Sequence, residues 1–140
     1  MQAKVQSAAL LGIEAIPIEV EVDVSPGLPG LTVVGLPSQS VEEAKDRIRS
    51  ALRHLRFQLP VERVKVNLAP AELKKEGAGF DLPMAIGILL ASEQLPPLEQ
   101  PLTRLFVGEL ALDGIVRPTS GALSITQSAK AKGFTEIFVP

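Results

Sequence analysis

The sequence contains no cysteine, no tryptophan and no tyrosine, and its one histidine is His54. Without cysteine, the chain cannot form a disulfide or a thiolate site for metal or redox chemistry. A single histidine cannot build a histidine-rich metal centre, and on a helix flank it is far more often a packing or solvent-edge residue than a catalyst. Five phenylalanines are the only aromatic residues, so base stacking is not the expected mode of nucleic-acid binding.

Long apolar runs are also absent. No uninterrupted stretch approaches the roughly 20 apolar residues that a membrane-spanning helix needs, and Glu14 interrupts the first apolar stretch too early for a signal peptide. We therefore expect a cytoplasmic protein with no membrane partner. Hydrophobic residues make up 46% of the 140 positions, which predicts one domain, 1–140, with a substantial core.

Charge is unevenly distributed along the chain, although the net charge is only −2. Lys4 is the only basic residue before position 44, whereas the stretch 45–75 is mainly basic. The candidate nucleic-acid or partner surface comprises Lys45, Arg49, Arg53, Arg56, Lys74 and Lys75. Such cations suffice for phosphate contacts. They would equally suit an acidic partner, such as the Glu19, Glu21 and Asp23 face of a neighbouring subunit, and an ordinary solvated helix face explains them too.

Hydrophobic periodicity predicts the element order β-β-β-α-β-α-β-β-α-β, an α+β fold with a mixed sheet and helices packed on it. The expected strands are 3–11, 15–24, 31–35, 63–68, 104–112, 115–117 and 135–139. The expected helices are 38–57, from 81 to about 94, and 121–132. We expect the third strand to pair with the second as a hairpin. Ser40 with Glu43 suggests a capping box, and Asp81 and Ser120 are the expected caps of the later helices.

The segment Lys74–Leu90 is the most distinctive stretch of the sequence. Its run Met84–Ala91 is apolar on every side and predicts a helix buried all round. The turn before it, Gly77-Ala78-Gly79, has amide groups that could hold an anion, with two lysines nearby. A purely structural turn explains the glycines equally, and the Asp81 carboxylate would compete for the same donors.

Glu109 and Asp113 are the one candidate acid/base pair, because period two places them on the same face of a strand. No nucleophile and no cluster of metal ligands accompanies them, and Glu109 is equally explained as a strand-end contact. We therefore predict no catalytic residue and no metal site on these residues.

Three blocks carry a family resemblance: Pro26–Leu52, Val66–Leu89 and Val107–Leu123. Together they resemble the N-terminal domain of the magnesium-chelatase-like ComM/YifB family. The resemblance implies the ribosomal protein S5 domain 2-like fold, which the Lon protease domain and the C-terminal domain of RadA share. It also implies that the full-length protein is a hexameric AAA+ ATPase with branch-migration helicase activity in natural transformation.

The same resemblance places cofactors and partners outside this chain. ATP and Mg are expected in an AAA+ module downstream, and no cofactor is expected in residues 1–140. The implied partners are that module, neighbouring subunits and DNA. Because the chain ends on a predicted strand, we expect the natural polypeptide to continue.

The likeness to Lon identifies two positions that would carry a protease dyad. The serine position falls at Gly79 and the lysine position at about Leu123, so neither a nucleophile nor a base is present. This implies a non-catalytic accessory domain. The alternatives are a domain with altered Lon-like peptidase activity, and a chelatase-like motor acting on another protein or on a porphyrin-pathway target.

Overall fold

The computed structural model describes all residues, 1–140. The strands are β1 (Gln2–Leu11), β2 (Glu14–Ser25), β3 (Gly30–Val34), β4 (Arg63–Ala69), β5 (Arg104–Phe106), β6 (Glu109–Leu110), β7 (Val116–Arg117) and β8 (Glu136–Phe138). The helices are α1 (Gln39–Glu42), α2 (Ala44–His54), α3 (Asp81–Ala91) and α4 (Ala122–Ala131), with a short 3-10 helix at Pro101–Thr103. No helix combines the length and apolar character needed to cross a bilayer.

Six strands form one mixed sheet in the order β3-β4-β2-β1-β5-β8, and β6 with β7 forms a separate hairpin. The central strands β1, β2 and β4 are antiparallel neighbours. The outer pairs β3–β4, β1–β5 and β5–β8 are parallel. This mixed sheet with packed helices confirms the predicted α+β class.

The predicted hairpin between β2 and β3 is wrong. β3 instead lies parallel to β4, with Leu31 opposite Val64 and Val33 opposite Val66. Both edges of β2 are occupied, by β1 and β4, so β3 cannot pair there. The chain passes from β3 to β4 through α1 and α2, which is the helical crossover that parallel neighbours require.

The sheet buries a different core on each face. The larger core has 24 buried residues and includes the fully buried side chains Val5, Ile18, Ile48, Leu68, Met84 and Ile88. The smaller core comprises Ala8, Ala15, Leu105, Val107, Ile125 and Ala129. Successive residues of a strand face opposite sides, so Val5 and Ala8 of β1 place the two cores on opposite faces. The resulting layers are α2 and α3, the sheet, and α4.

The helix predicted to be buried all round is confirmed as α3, in which nine of 11 residues are buried. Gly87 allows its close approach to β2, because a Cβ at that position would lie 2.6 Å from Val22 Cγ2. α3 ends at Ala91 rather than near Gln94.

Several predicted caps and boundaries differ from the structure. The helix predicted for 38–57 divides at Glu43 into α1 and α2, and its cap is Ser38, whose hydroxyl accepts from the Val41 N–H, not Ser40. Asp81 is the first residue of α3 rather than its cap, and Gly121, not Ser120, precedes α4.

The strand predicted for 104–112 is interrupted after Phe106. There Gly108 donates its N–H to the Gly79 carbonyl and accepts from Leu82 N–H. These two hydrogen bonds hold residue 108 against the start of α3. The chain therefore leaves the ladder with β1 there, and β5 and β6 are separate strands. The predicted tight turn at Asp113-Gly114 is confirmed by the hairpin of β6 and β7.

Candidate functional site

A buried ion pair fixes the start of α3. The Asp81 carboxylate accepts from Arg47 Nε at 2.6 Å and Nη2 at 3.0 Å, and from Leu110 N–H at 3.0 Å. Burial raises the pKa of Asp81, while the bonds from Arg47 and Leu110 oppose that rise. The hydrogen bond to Asp81 raises the pKa of Arg47. The pair joins α2, α3 and β6, and both carboxylate oxygens have partners.

Lys75 is also fully buried. Its ammonium group donates to the Pro70 carbonyl, and its backbone bonds to Leu36 and Ser38. Burial lowers the pKa of Lys75, and the charge of Glu72 opposes that change. Lys75 therefore does not belong to the exposed cationic surface predicted from the sequence, where nothing distinguished it from its neighbour Lys74.

The other predicted surface cations remain at least partly exposed, but three of them have acidic partners. Those pairs are Lys45 with Glu42 at 2.7 Å, Arg49 with Asp46 at 3.6 Å, and Lys74 with Glu76 at 3.8 Å. Arg53 and Arg56 are exposed and have no carboxylate within 4.0 Å. His54 is exposed at the end of α2. A nucleic-acid role for this surface stays a prediction, and Arg53 and Arg56 are its main candidate residues because they have no acidic partner.

A cleft of about 580 Å³ lies beside the glycine turn. One wall is the end of β1, residues 8–11, and another is the stretch 73–80. Residues 118–120 form the third side. Its lining residues are Ala8, Ala9, Leu10, Leu11, Leu73, Lys74, Glu76, Gly77, Ala78, Gly79, Phe80, Val107, Glu109, Pro118, Thr119, Ser120 and Ile125. The cleft lies within the usual range of about 300–1,000 Å³ for ligand sites.

Gly79 and Thr119 meet in this cleft. A Cβ on Gly79 would lie 3.3 Å from Val107 Cγ1 and 3.7 Å from Thr119 Cγ2. The Thr119 hydroxyl is buried and has no hydrogen-bond partner, so no lysine amine is within bonding reach of it. Leu123, the other position of the implied dyad, is 72% exposed. Sequence reasoning missed Thr119 because a threonine before a helix carries no distinctive signal.

The glycine turn presents unused main-chain donors. The amides of Gly77, Ala78 and Gly79 donate to no protein group. Asp81 was expected to compete for these donors, but its carboxylate is directed to Arg47 and Leu110 instead. Anion binding at this turn stays a prediction.

Glu109 and Asp113 do not form the acid/base face considered from the sequence. Asp113 lies in the hairpin turn, where it accepts from Ile115 N–H. Glu109 lines the cleft and has no salt-bridge partner. The two residues are separated because the chain reverses direction directly after β6.

Comparison with known proteins assigns this chain to a family. The family described as subunit ChlI of Mg-chelatase matches residues 20–140. YifB of Escherichia coli is 50% identical over 129 residues, which cover 92% of this chain and 25% of that protein. The competence protein ComM of Haemophilus influenzae is 49% identical over 131 residues, which cover 93% of this chain and 26% of that protein.

A similar relation holds for YifB of Salmonella typhimurium, which is 48% identical over 131 residues. The chain thus spans about a quarter of the length of these curated relatives. The extent of the matches confirms the resemblance carried by the three sequence blocks: the chain belongs to the Mg-chelatase ChlI family and, within it, to the ComM/YifB group.

Proposed function

We propose that residues 1–140 form a non-catalytic accessory domain of a ComM/YifB-type AAA+ ATPase. The observation that carries this proposal is the cleft around Gly79, the residue at which the resemblance to Lon implies a protease serine, because Gly79 has no side chain and the cleft has no nucleophile paired with a base. The domain positions the ATPase module through contacts with that module and with neighbouring subunits. Arg53 and Arg56, which have no acidic partner within the chain, suit such contacts.

The chemistry of the cleft supports a non-catalytic role. Peptide hydrolysis through a covalent intermediate needs a nucleophile and a base within hydrogen-bond reach. Gly79 has no side chain, and the buried Thr119 hydroxyl has no partner that could take its proton. The buried Lys75 amine donates to the Pro70 carbonyl instead.

For the longer protein, we propose ATP- and Mg-dependent DNA processing, including branch migration during natural transformation, by a cytoplasmic hexamer. The 49% identity with the competence protein ComM supports this assignment. Removing residues 1–140 from the longer protein should leave ATP binding intact but change its assembly and its DNA-stimulated ATP turnover. An unchanged oligomer mass together with unchanged turnover would argue against the accessory role.

A peptidase assay tests the non-catalytic proposal directly. The chain, incubated with unfolded casein and with fluorogenic peptides, should release no fragments detectable by mass spectrometry. Thr119→Val and Ser120→Ala are the matched controls, because each removes one hydroxyl from the cleft. Cleavage by the wild-type chain that disappears in Thr119→Val would instead establish an altered Lon-like peptidase.

A further inference from the structure

We propose that the cleft beside Gly79 binds an extended polypeptide segment by adding it as a strand to the free edge of β1. The inference rests on the proposed non-catalytic function, since it assigns that cleft the capture of a peptide without its cleavage. The partner is a protein segment with alternating apolar side chains and at least one basic residue.

The first observation is an unpaired sheet edge. β1 pairs with β2 along its whole length, from Gln2 to Leu11. On its other side it pairs with β5 only at Gln6, opposite Leu105. After Phe106 the chain leaves the sheet edge, and no other backbone group bonds to the stretch 8–11. This part of β1 therefore has main-chain donors and acceptors available to a new strand.

The cleft runs along that edge. Four consecutive residues of β1, Ala8 to Leu11, line it. Because successive side chains of a strand point to opposite faces, four consecutive lining residues mean that the cleft follows the edge itself. At about 3.3 Å per residue, this edge is about 13 Å long, which suits an added segment of four to five residues.

The opposite wall also offers unused hydrogen-bonding groups. The amides of Gly77, Ala78 and Gly79 donate to no protein group, and these three residues line the cleft. A peptide backbone between the two walls would supply carbonyl acceptors to these amides.

Charge and apolar character identify the occupant as polypeptide rather than nucleic acid. The charged lining residues are one lysine, Lys74, and two glutamates, Glu76 and Glu109, and nine of the 17 lining residues are hydrophobic. A phosphate backbone would meet a net negative wall. The Glu109 carboxylate, which has no salt-bridge partner, suits a lysine or arginine of the bound segment. The exposed Leu10 and Leu11 suit its apolar side chains.

The probe is a fluorescein-labelled peptide of twelve residues that alternates valine or leucine with threonine or lysine. Its control has the same sequence with N-methyl groups on the amides of one edge, which removes strand-forming donors and keeps the side chains. Fluorescence anisotropy with the 140-residue chain should show saturable binding of the probe. N-methylation should weaken the affinity at least tenfold.

Two variants locate the binding. Ser120→Trp places a large side chain at an exposed position of the cleft and should weaken affinity at least tenfold. Thr32→Trp, a substitution at another exposed position, on β3, should leave the affinity unchanged. Glu109→Gln, which keeps the side-chain size and removes a carboxylate that lines the cleft, should weaken affinity for the lysine-bearing probe about threefold, so the test stands even if Ser120→Trp fails to fold.

Several outcomes would overturn the inference. They are the absence of probe binding, equal binding of the N-methylated control, and binding that is insensitive to both cleft variants. Concentration-dependent self-association blocked by Ser120→Trp would assign the cleft to a second copy of the chain. Oligonucleotide binding blocked by the same substitution would assign it to nucleic acid. Mass spectrometry of the recovered probe distinguishes the two proposals. Cleavage of the probe would refute the non-catalytic function, whereas absence of binding would refute only peptide capture by the cleft.

Discussion

The segment Gly77–Asp81 lies between α2 and the cleft, and the polar groups on these two sides differ in whether they have hydrogen-bond partners. On the side of α2, the Asp81 carboxylate accepts two bonds from Arg47 and one from Leu110. On the side of the cleft, the Thr119 hydroxyl and the amides of the glycine turn have no partner in the chain. The glycine-turn amides and Asp81 lie within five residues of each other in sequence.

This difference separates a structural role from a binding role. A buried polar group that is fully paired contributes to holding elements together, and the loss of one partner exposes the cost of burying the other. An unpaired buried group costs stability in the free protein, because no hydrogen bond offsets its removal from water. We therefore expect substitutions on the two sides to change the free energy of unfolding in opposite directions.

The largest effect is expected for Asp81→Ala. The substitution leaves Arg47 Nε and the Leu110 N–H without their acceptor, while Arg47 Nη2 keeps its bond to the Ser40 carbonyl. Breaking a largely buried ion pair in this way costs about 3 kcal/mol. Urea unfolding followed by circular dichroism measures the loss. Asp46→Ala is the matched control, since Asp46 pairs with Arg49 at 3.6 Å while 86% exposed, and its loss should be below about 1 kcal/mol. Equal losses of unfolding free energy in the two variants would show that the Asp81–Arg47 pair contributes no more than an exposed ion pair.

A smaller effect of opposite sign is expected for Thr119→Val. The substitution keeps the side-chain shape and removes a buried hydroxyl that has no partner, so the chain should gain about 1 kcal/mol of stability. The same unfolding experiment measures it, with Thr126→Val as the control, because the Thr126 hydroxyl donates to the Ala122 carbonyl on an exposed helix face. Destabilisation by Thr119→Val of more than about 1 kcal/mol would mean that the hydroxyl is satisfied in the free protein.

The smallest effect concerns the pH dependence of stability. Burial lowers the pKa of Lys75 below its ordinary value of 10.5. Between the lowered value and 10.5 the unfolded chain binds more protons at this residue, so Lys75 makes stability rise with pH in that window. In Lys75→Met this contribution is absent, and the curve of unfolding free energy against pH should be flatter below 10.5. Parallel curves for the two proteins would show that the lysine is not shielded from water in the folded state.

The sequence predicted local elements better than long-range partners. Alternation in β2 and the apolar run of α3 identify those elements because one residue pattern decides each of them. The pairing of β3 with β4 could not be predicted from a residue pattern. It depends on the other strands, because β1 and β4 occupy both edges of β2 and leave none for β3. The sequence pattern also did not predict the break between α1 and α2 at Glu43, because the same helical periodicity of apolar residues continues through both helices.

The candidate site was predictable only in part. The glycine turn follows from the sequence, whereas Gly79 and Leu123 as the positions of a protease dyad stay a prediction that the resemblance implies. The burial of Lys75 and the pairing of Asp81 with Arg47 do not, because both depend on contacts with residues distant in the chain. The unpaired hydroxyl of Thr119 and the free edge of β1 are visible only after the fold has brought three segments together.

Hydrogen–deuterium exchange of the chain, with and without the alternating peptide, tests the contrast between the two sides most directly. Bound peptide should slow exchange of those amides in Ala8–Leu11 that point away from β2, and of the Gly77–Gly79 amides. The amides of α3, which are already bonded, should not change. Slower exchange around Arg53 and Arg56 with no change at the end of β1 would show that the peptide binds the cationic surface of α2 and not the cleft.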